Sequence, residues 1–223
     1  MDFLYESLYS DGMSDVIHVP LVTTPAQSAS LASLQAAFAQ ACNALVPVVR
    51  ERRCWNRVAL HHLTYHELRS RFPQLGSQMA CNAIYSVCRV CRLLFQHPRS
   101  PWHLARLGER ALPMIEFAPT APVYFDRHTL NIKADGLSMY TLDGRMHFSL
   151  SLPPEVLQRF RSERLREIML SRQADRYVLF FHFGGDKMTG GDAATAELPQ
   201  YLVIREEVSA LDGAKRGDTA VAV

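Results

Sequence analysis

The sequence predicts an α+β protein in which a helical unit interrupts a β-rich one. Apolar residues recur at three- and four-residue spacing between Leu31 and Phe95, a helical period, and at two-residue spacing from Pro113 onward, a strand period. A lone β-type run at 16–22, VIHVPLV, precedes the helices. A helical insert that leaves and re-enters one β-unit explains why that strand stands apart. The chain has 223 residues, enough to bury a core as one domain or two small ones. The expected organisation is an acidic leader with the first strand at 1–28, a helical unit at 29–112, a β-rich unit at 113–208 and a tail at 209–223.

Pro20 inside the first run marks it as an edge strand. Ser28 or Ser30 is the expected N-cap of the first helix, whose buried stripe is Leu31, Leu34, Phe38, Cys42, Leu45 and Val49; Pro47 is expected to kink or shorten it. Thr64-Tyr65-His66-Glu67 fits a capping box, so a short helix is expected from there through Arg71, stopped ahead of Pro73. Gly76-Ser77 opens a third helix with Ala80, Ile84, Val87, Cys88, Cys91, Leu94 and Phe95 as its buried face. Gln78, Asn82, Tyr85, Arg89 and Arg92 fall elsewhere around it. A last short helix is expected within Trp102 to Leu112. TLNIKADG, LSMYTL and RMHFSLSL then read as strands, the last two joined at Asp143-Gly144. Pro154 to Ser162 reads as a helix. REIMLSR and RYVLFFHF form a further pair about a Gln-Ala-Asp turn, Gly184 to Ala196 a loop, and QYLVIREEV a final strand.

The net charge is only +2, but it is unevenly placed. Residues 1–28 carry four acids and no Lys or Arg. Residues 29–112 carry eleven Arg against three Glu, a net +8, and 113–223 are near balance at −2. Of 24 basic residues only three are Lys. Arg suits bidentate phosphate contact and stacking on bases; a solvated helix face in an Arg-rich composition gives the same count. Arg50, Arg52, Arg53 and Arg57 surround Trp55, and Arg69 and Arg71 follow Tyr65. Such interleaving of basic and aromatic residues is what backbone binding with base stacking requires.

Other chemistries find little support. Cys81, Cys88 and Cys91 lie close to one side of a helix, which suits small buried thiols at a seam better than a zinc site with four convergent ligands. His61, His62 and His66 lack a His-Glu-x-x-His frame, so capping, surface or phosphate contact is expected. No Gly-x-Ser-x-Gly elbow and no phosphate-cradling loop occur. No metal or cofactor is expected. The five cysteines fit a reducing cytoplasm, and the chain contains no run of about 18 apolar residues, so neither a disulfide framework nor a membrane partner is expected.

The segment TYHELRSRFPQLGSQMACNAI resembles the amino-terminal half of TnpB-type transposon-encoded RNA-guided nucleases and of compact type V CRISPR effectors. HVPLVTTPAQSASLASLQAAFAQACN is similar to that family's opening strand and first helix, VYFDRHTLNIKADGLSMYTLDGR to its return into the wedge domain, and REIMLSRQADRYVLFFHF to the wedge's final hairpin. The likeness covers about residues 16–206. It implies a helical recognition domain inserted into a wedge domain that is a small β-barrel of oligonucleotide-binding type. It also implies binding of guide RNA, and of target DNA beside a short motif, with base pairing supplying most of the specificity. The nucleic-acid-binding residues expected by chemistry and position are Arg50, Arg53, Trp55, Arg57, Tyr65, Arg69, Gln78, Asn82, Tyr85, Arg89 and Arg92. Among them Gln78 and Asn82 are suited to adenine edges and Arg to guanine.

The family's RuvC-type nuclease domain and its four-cysteine ribbon have no counterpart in the sequence, and the tail TAVAV resembles the first RuvC strand. The expected activity is therefore guide-dependent binding without cutting. Other readings are a recognition subunit of a split endonuclease whose RuvC domain is on another chain, a homodimer, a guide-free repressor and a purely structural interaction protein. Two-metal hydrolysis needs a carboxylate cluster. The 223-residue chain, incubated with magnesium, co-purified RNA and plasmid DNA, is accordingly expected to leave the plasmid uncut on a gel.

Overall fold

The computed structural model describes residues 15–133, 136–150, 152–184 and 199–205. The leader before residue 15, most of the loop at 184–196 and the tail at 209–223 lie outside them. The described chain is mixed helix and sheet: β1 (Val16–Leu21), α1 (Pro25–Arg52), α2 (Arg57–Arg71), a 3-10 turn (Pro73–Leu75), α3 (Gly76–Phe95), α4 (Leu104–Leu107), β2 (Met114–Phe117), β3 (Val123–Phe125), β4 (Leu130–Lys133), β5 (Gly136–Thr141), β6 (Gly144–Ser149), α5 (Pro154–Ser162), β7 (Leu165–Gln173), β8 (Arg176–Phe183) and β9 (Leu202–Arg205).

Helix α1 begins earlier than the serines suggested. Thr24 is its N-cap: the Thr24 hydroxyl accepts from the Gln27 amide at 3.2 Å, the Gln27 side chain accepts from the Thr24 amide at 2.9 Å, and Pro25 takes the first helical position. The helix then passes through Pro47 without ending. Pro47 is exposed, while Leu45, Val46 and Val49 around it are buried, so packing on the inner side outweighs the lost hydrogen bond. By length and composition α1 is apolar enough to cross a membrane, but more than half of its most apolar window is buried within the protein, as in a core helix. Arg53 closes α1 in the left-handed region, with φ of 47°.

Thr64 does not start a helix. Asn56, just past the Arg53 break, caps α2 by accepting from the Val58 and Ala59 amides at 3.0 and 3.1 Å. Thr64 lies in the helix interior, 4% exposed, and its hydroxyl donates back to the Leu60 carbonyl at 2.7 Å. Gly76 opens α3 at φ of 69°, and all seven expected apolar positions are buried. Of the helix expected at Trp102 to Leu112 only the single turn α4 forms; Gly108, at φ of 58°, ends it.

The strands form three antiparallel sheets, ordered β1-β8-β7-β3, β2-β9 and β4-β5-β6; no ring of paired strands closes among the described residues. β1 pairs with β8 in register from Val16↔His182 to Leu21↔Tyr177, so the chain returns to β1 after the helices of 25–107 and the strands β2–β7. β1 is an edge strand, as Pro20 requires. The β5–β6 turn falls at Asp143-Gly144, with Gly144 at φ of 107°. The β7–β8 turn carries Ala174 at φ of 50°. One continuous hydrophobic core runs from Ile17 through the helices to Leu202.

Two amides on α1 tie the helical layer to the β-rich part. The Asn43 side chain donates to the Phe117 carbonyl at 3.0 Å and accepts from the Phe117 amide at 2.7 Å, as a neighbouring strand would. Gln35, 2% exposed, donates to the Thr120 and Ala121 carbonyls at 3.2 Å each. Replacing Asn43 by Ala strands both Phe117 backbone groups. The expected loss is about 1–3 kcal/mol in urea unfolding, with the slope unchanged.

Candidate nucleic-acid interface

Four of the eleven residues expected at the nucleic acid share one stripe of α3 and face the sheet. Gln78 donates to an Asp126 carboxylate oxygen. Asn82, 5% exposed, donates to the Tyr124 carbonyl at 3.0 Å. The Tyr85 hydroxyl donates to Glu167 Oε1 at 2.6 Å, and Arg89 Nε pairs with the same oxygen at 3.3 Å and lies over the Tyr124 ring. The expectation that the Gln78 and Asn82 amides are open to a ligand, and that Arg89 points away from the packed side, is corrected. The reason is geometric. Positions 78, 82, 85 and 89 recur at four and three residues, so they form a second packed face, and each group on it meets a polar partner on β3, on β7 or in the Asp126 turn. Burial and Glu167 push the Tyr85 phenol up to about 12, so it is a firm proton donor.

Three more residues of the set hold the end of α1. Arg50 Nε donates to the Leu112 carbonyl at 2.7 Å. The Arg53 guanidinium donates to the Arg110 and Gly108 carbonyls at 3.2 and 3.1 Å. Trp55, expected as a stacking platform, is 7% exposed and packs on Phe95 at 5.2 Å between ring centroids, so its faces are taken by the core. Apolar burial of an indole outweighs its availability for stacking.

What faces outward is one flank of α2. Leu60, Thr64 and Leu68 are its buried positions. Beside them run Arg57, His61, Tyr65 and Arg69 at four-residue intervals, all half-buried or exposed. The His61 and Tyr65 rings stack at 4.6 Å with 19° between planes. Arg57 lies over the Tyr85 ring at 5.5 Å, bringing that end of the stripe to α3. Arg69 makes one long bond, 3.4 Å, to the Pro73 carbonyl. His62, His66 and Arg71 continue the exposed surface, on which Glu67 is the single acid of the helix. The half-exposed Arg92 sits farther along α3. Of the set, Arg57, Tyr65 and Arg69 thus lie along one accessible side of α2, and Arg92 is half-exposed on α3. His61 joins them; its four-residue spacing from Arg57 and Tyr65 was the sequence signal for it.

The cysteines are packing groups. Burial pushes Cys88 up to about 11 and Cys42 up to about 12 and raises Cys81 as well, as expected of thiols packed at a helix seam. No cluster of three or more His, Cys, Asp or Glu side chains able to hold a metal occurs among the described residues. Compared with known proteins, the chain matches no family model and no curated protein.

The α3 stripe yields a test that separates packing from binding. Asn82→Ala leaves the Tyr124 carbonyl unpaired, and Arg89→Ala leaves Glu167 without its cation. Each is expected to lower unfolding free energy by about 1–3 kcal/mol. Thermal melting and RNA affinity, measured in parallel, are expected to show lost stability with little change in the affinity of the folded fraction.

Proposed function

We propose that the protein binds nucleic acid through the outer flank of α2. The observation that carries this is the stripe Arg57, His61, Tyr65 and Arg69, in which two arginines flank a stacked aromatic pair along one accessible side of a helix. Guanidinium groups neutralise phosphates, and the stacked His61–Tyr65 pair offers a π-face to a base. The resemblance of TYHELRSRFPQLGSQMACNAI and its neighbours to TnpB-type proteins supports a more specific reading. In it the ligand is a guide RNA and its DNA target, the helical unit acts as a recognition domain, and the β-rich unit acts as a wedge of oligonucleotide-binding type. Pairing of β1 with β8 across the helices fits a helical insert within one β-unit. Recognition is then of backbone and shape, with sequence read by base pairing.

The protein expressed in cells is expected to carry RNA at low salt and release it at high salt. Arg57→Gln and Arg69→Gln are expected to weaken binding of that RNA without lowering the melting temperature. Each lost phosphate contact is expected to flatten the plot of log K against log salt by about 0.7–0.9. RNA-free protein at low salt, or an unchanged slope in the double variant, overturns the reading.

A further inference from the structure

The β4-β5-β6 sheet has an outer face that the α2 reading does not use. Its inner positions Leu130, Leu137, Met139 and Phe148 belong to the core. The opposite positions form a grid set by the register: Asn131 beside Ser138 beside His147, and Tyr140 beside Arg145, with Lys133 at the end of β4. Gly136, paired with both Lys133 and Ser149, adds no side chain to that row. Asn131, Lys133, Tyr140, Arg145 and His147 are exposed, and among the described residues no acid lies on these outer strand positions. Asp143, at the β5–β6 turn, accepts from Ser30 of α1 at 3.4 Å.

Tyr140 and Arg145 make this face more than a charged surface. The Tyr140 ring is 44% exposed on the strand. The Arg145 guanidinium lies over that ring at 4.5 Å. It is fixed there by donating to Ser138 Oγ at 3.1 Å and to the His128 carbonyl at 2.8 Å. The guanidinium is thereby held in place before any ligand arrives, on a residue that remains exposed. An ordered guanidinium on an aromatic ring is a platform for an unpaired base. Lys133 supplies a cation for the backbone of the same strand. Asn131, Ser138 and His147 lie between them as hydrogen-bonding groups. A base in a duplex is stacked on both sides already, so this geometry selects single strands. The cations of this face, with no acid on its described outer strand positions, favour a polyanion over an acidic or apolar protein partner.

We propose that the outer face of the β4-β5-β6 sheet is a second nucleic-acid site, one that takes single-stranded RNA or DNA with a base stacked on the Arg145–Tyr140 pair. The site is built from different residues than the α2 flank and stands or falls separately from it.

The test uses the full chain and a fluorescent oligouridine of about twelve nucleotides, read by anisotropy, with a duplex of the same length as competitor. Arg145→Lys keeps the charge but loses the planar group, and Tyr140→Ala loses the ring; each is expected to weaken binding about tenfold. Lys133→Glu, at an exposed strand end, is expected to weaken it as well. Duplex competitor is expected to displace the probe poorly. A 4-thiouridine version is expected to cross-link to β5 or β6, and to keep doing so in the Arg57→Gln/Arg69→Gln double variant. Affinities of Arg145→Lys and Lys133→Glu within about twofold of the parent overturn the proposal, whatever the folding of Tyr140→Ala. Equal competition by duplex, or cross-links confined to α2, overturns it too. Loss of the sheet cross-link with the α2 cross-links intact rejects this site alone; persistence of sheet cross-links with an α2 variant of unchanged affinity rejects the α2 reading alone.

Discussion

Glu167 on β7 organises the molecule. Its side chain is 10% exposed, and a carboxylate placed that far from water is costly unless it is matched by donors. Both come from α3: the Tyr85 hydroxyl and the Arg89 guanidinium. One turn and two turns earlier on the same stripe, Asn82 and Gln78 reach the Tyr124 carbonyl and Asp126. The register of α3 against the sheet is therefore fixed by polar matching and not by apolar packing alone, because sliding the helix by one residue would leave several groups unpaired at once. With α3 held on one side by the sheet and on another by α1, α2 is left as the outer helix, and its free flank follows from that arrangement.

The excess of arginine in residues 29–112 divides in the structure among three uses. Arg50, Arg53, Arg106 and Arg110 donate to backbone carbonyls between Pro98 and Leu112. That segment has little regular structure, so its carbonyls lack ladder partners, and the five donors of a guanidinium meet several at once. Arg89 neutralises Glu167. Arg57, Arg69 and Arg71 are the cations that α2 presents outward. A charge count over the segment thus overstates its capacity for phosphates, since a guanidinium that binds carbonyls is oriented toward its own chain.

The sequence made the elements with strong local signals readable. α5 spans Pro154–Ser162 as expected, α3 opens at Gly76, and the Asp143-Gly144 turn joins β5 to β6. Elements whose signal is nonlocal were not readable. β3 is buried at all three positions, so it shows no alternation, and four-residue β2 exists through its pairing with β9, some ninety positions away. At the candidate site the same division holds. The interleaving of Arg with aromatic residues around α2 was visible, but a polar residue on a helix reads identically whether its partner is a ligand or Glu167. Trp55 was ambiguous for the same reason, and only the position of Phe95 decides it.

Anchoring differs sharply among the three long helices. α1 buries eleven side chains and α3 twelve, whereas α2 buries Leu60, Thr64 and Leu68 only. A helix held by so narrow a stripe sits at the low end of local stability, where binding surfaces are commonly found. Its two ends are nonetheless fixed: Asn56 caps one, and the Phe72 amide closes the other on the Leu68 carbonyl at 2.9 Å. Between those fixed ends the long side chains of Arg57, Tyr65 and Arg69 can adjust to a backbone of variable path while the helix axis stays in place. The rigid α1–α3 layer positions α2, and the thin attachment of α2 leaves its flank uncommitted to the core.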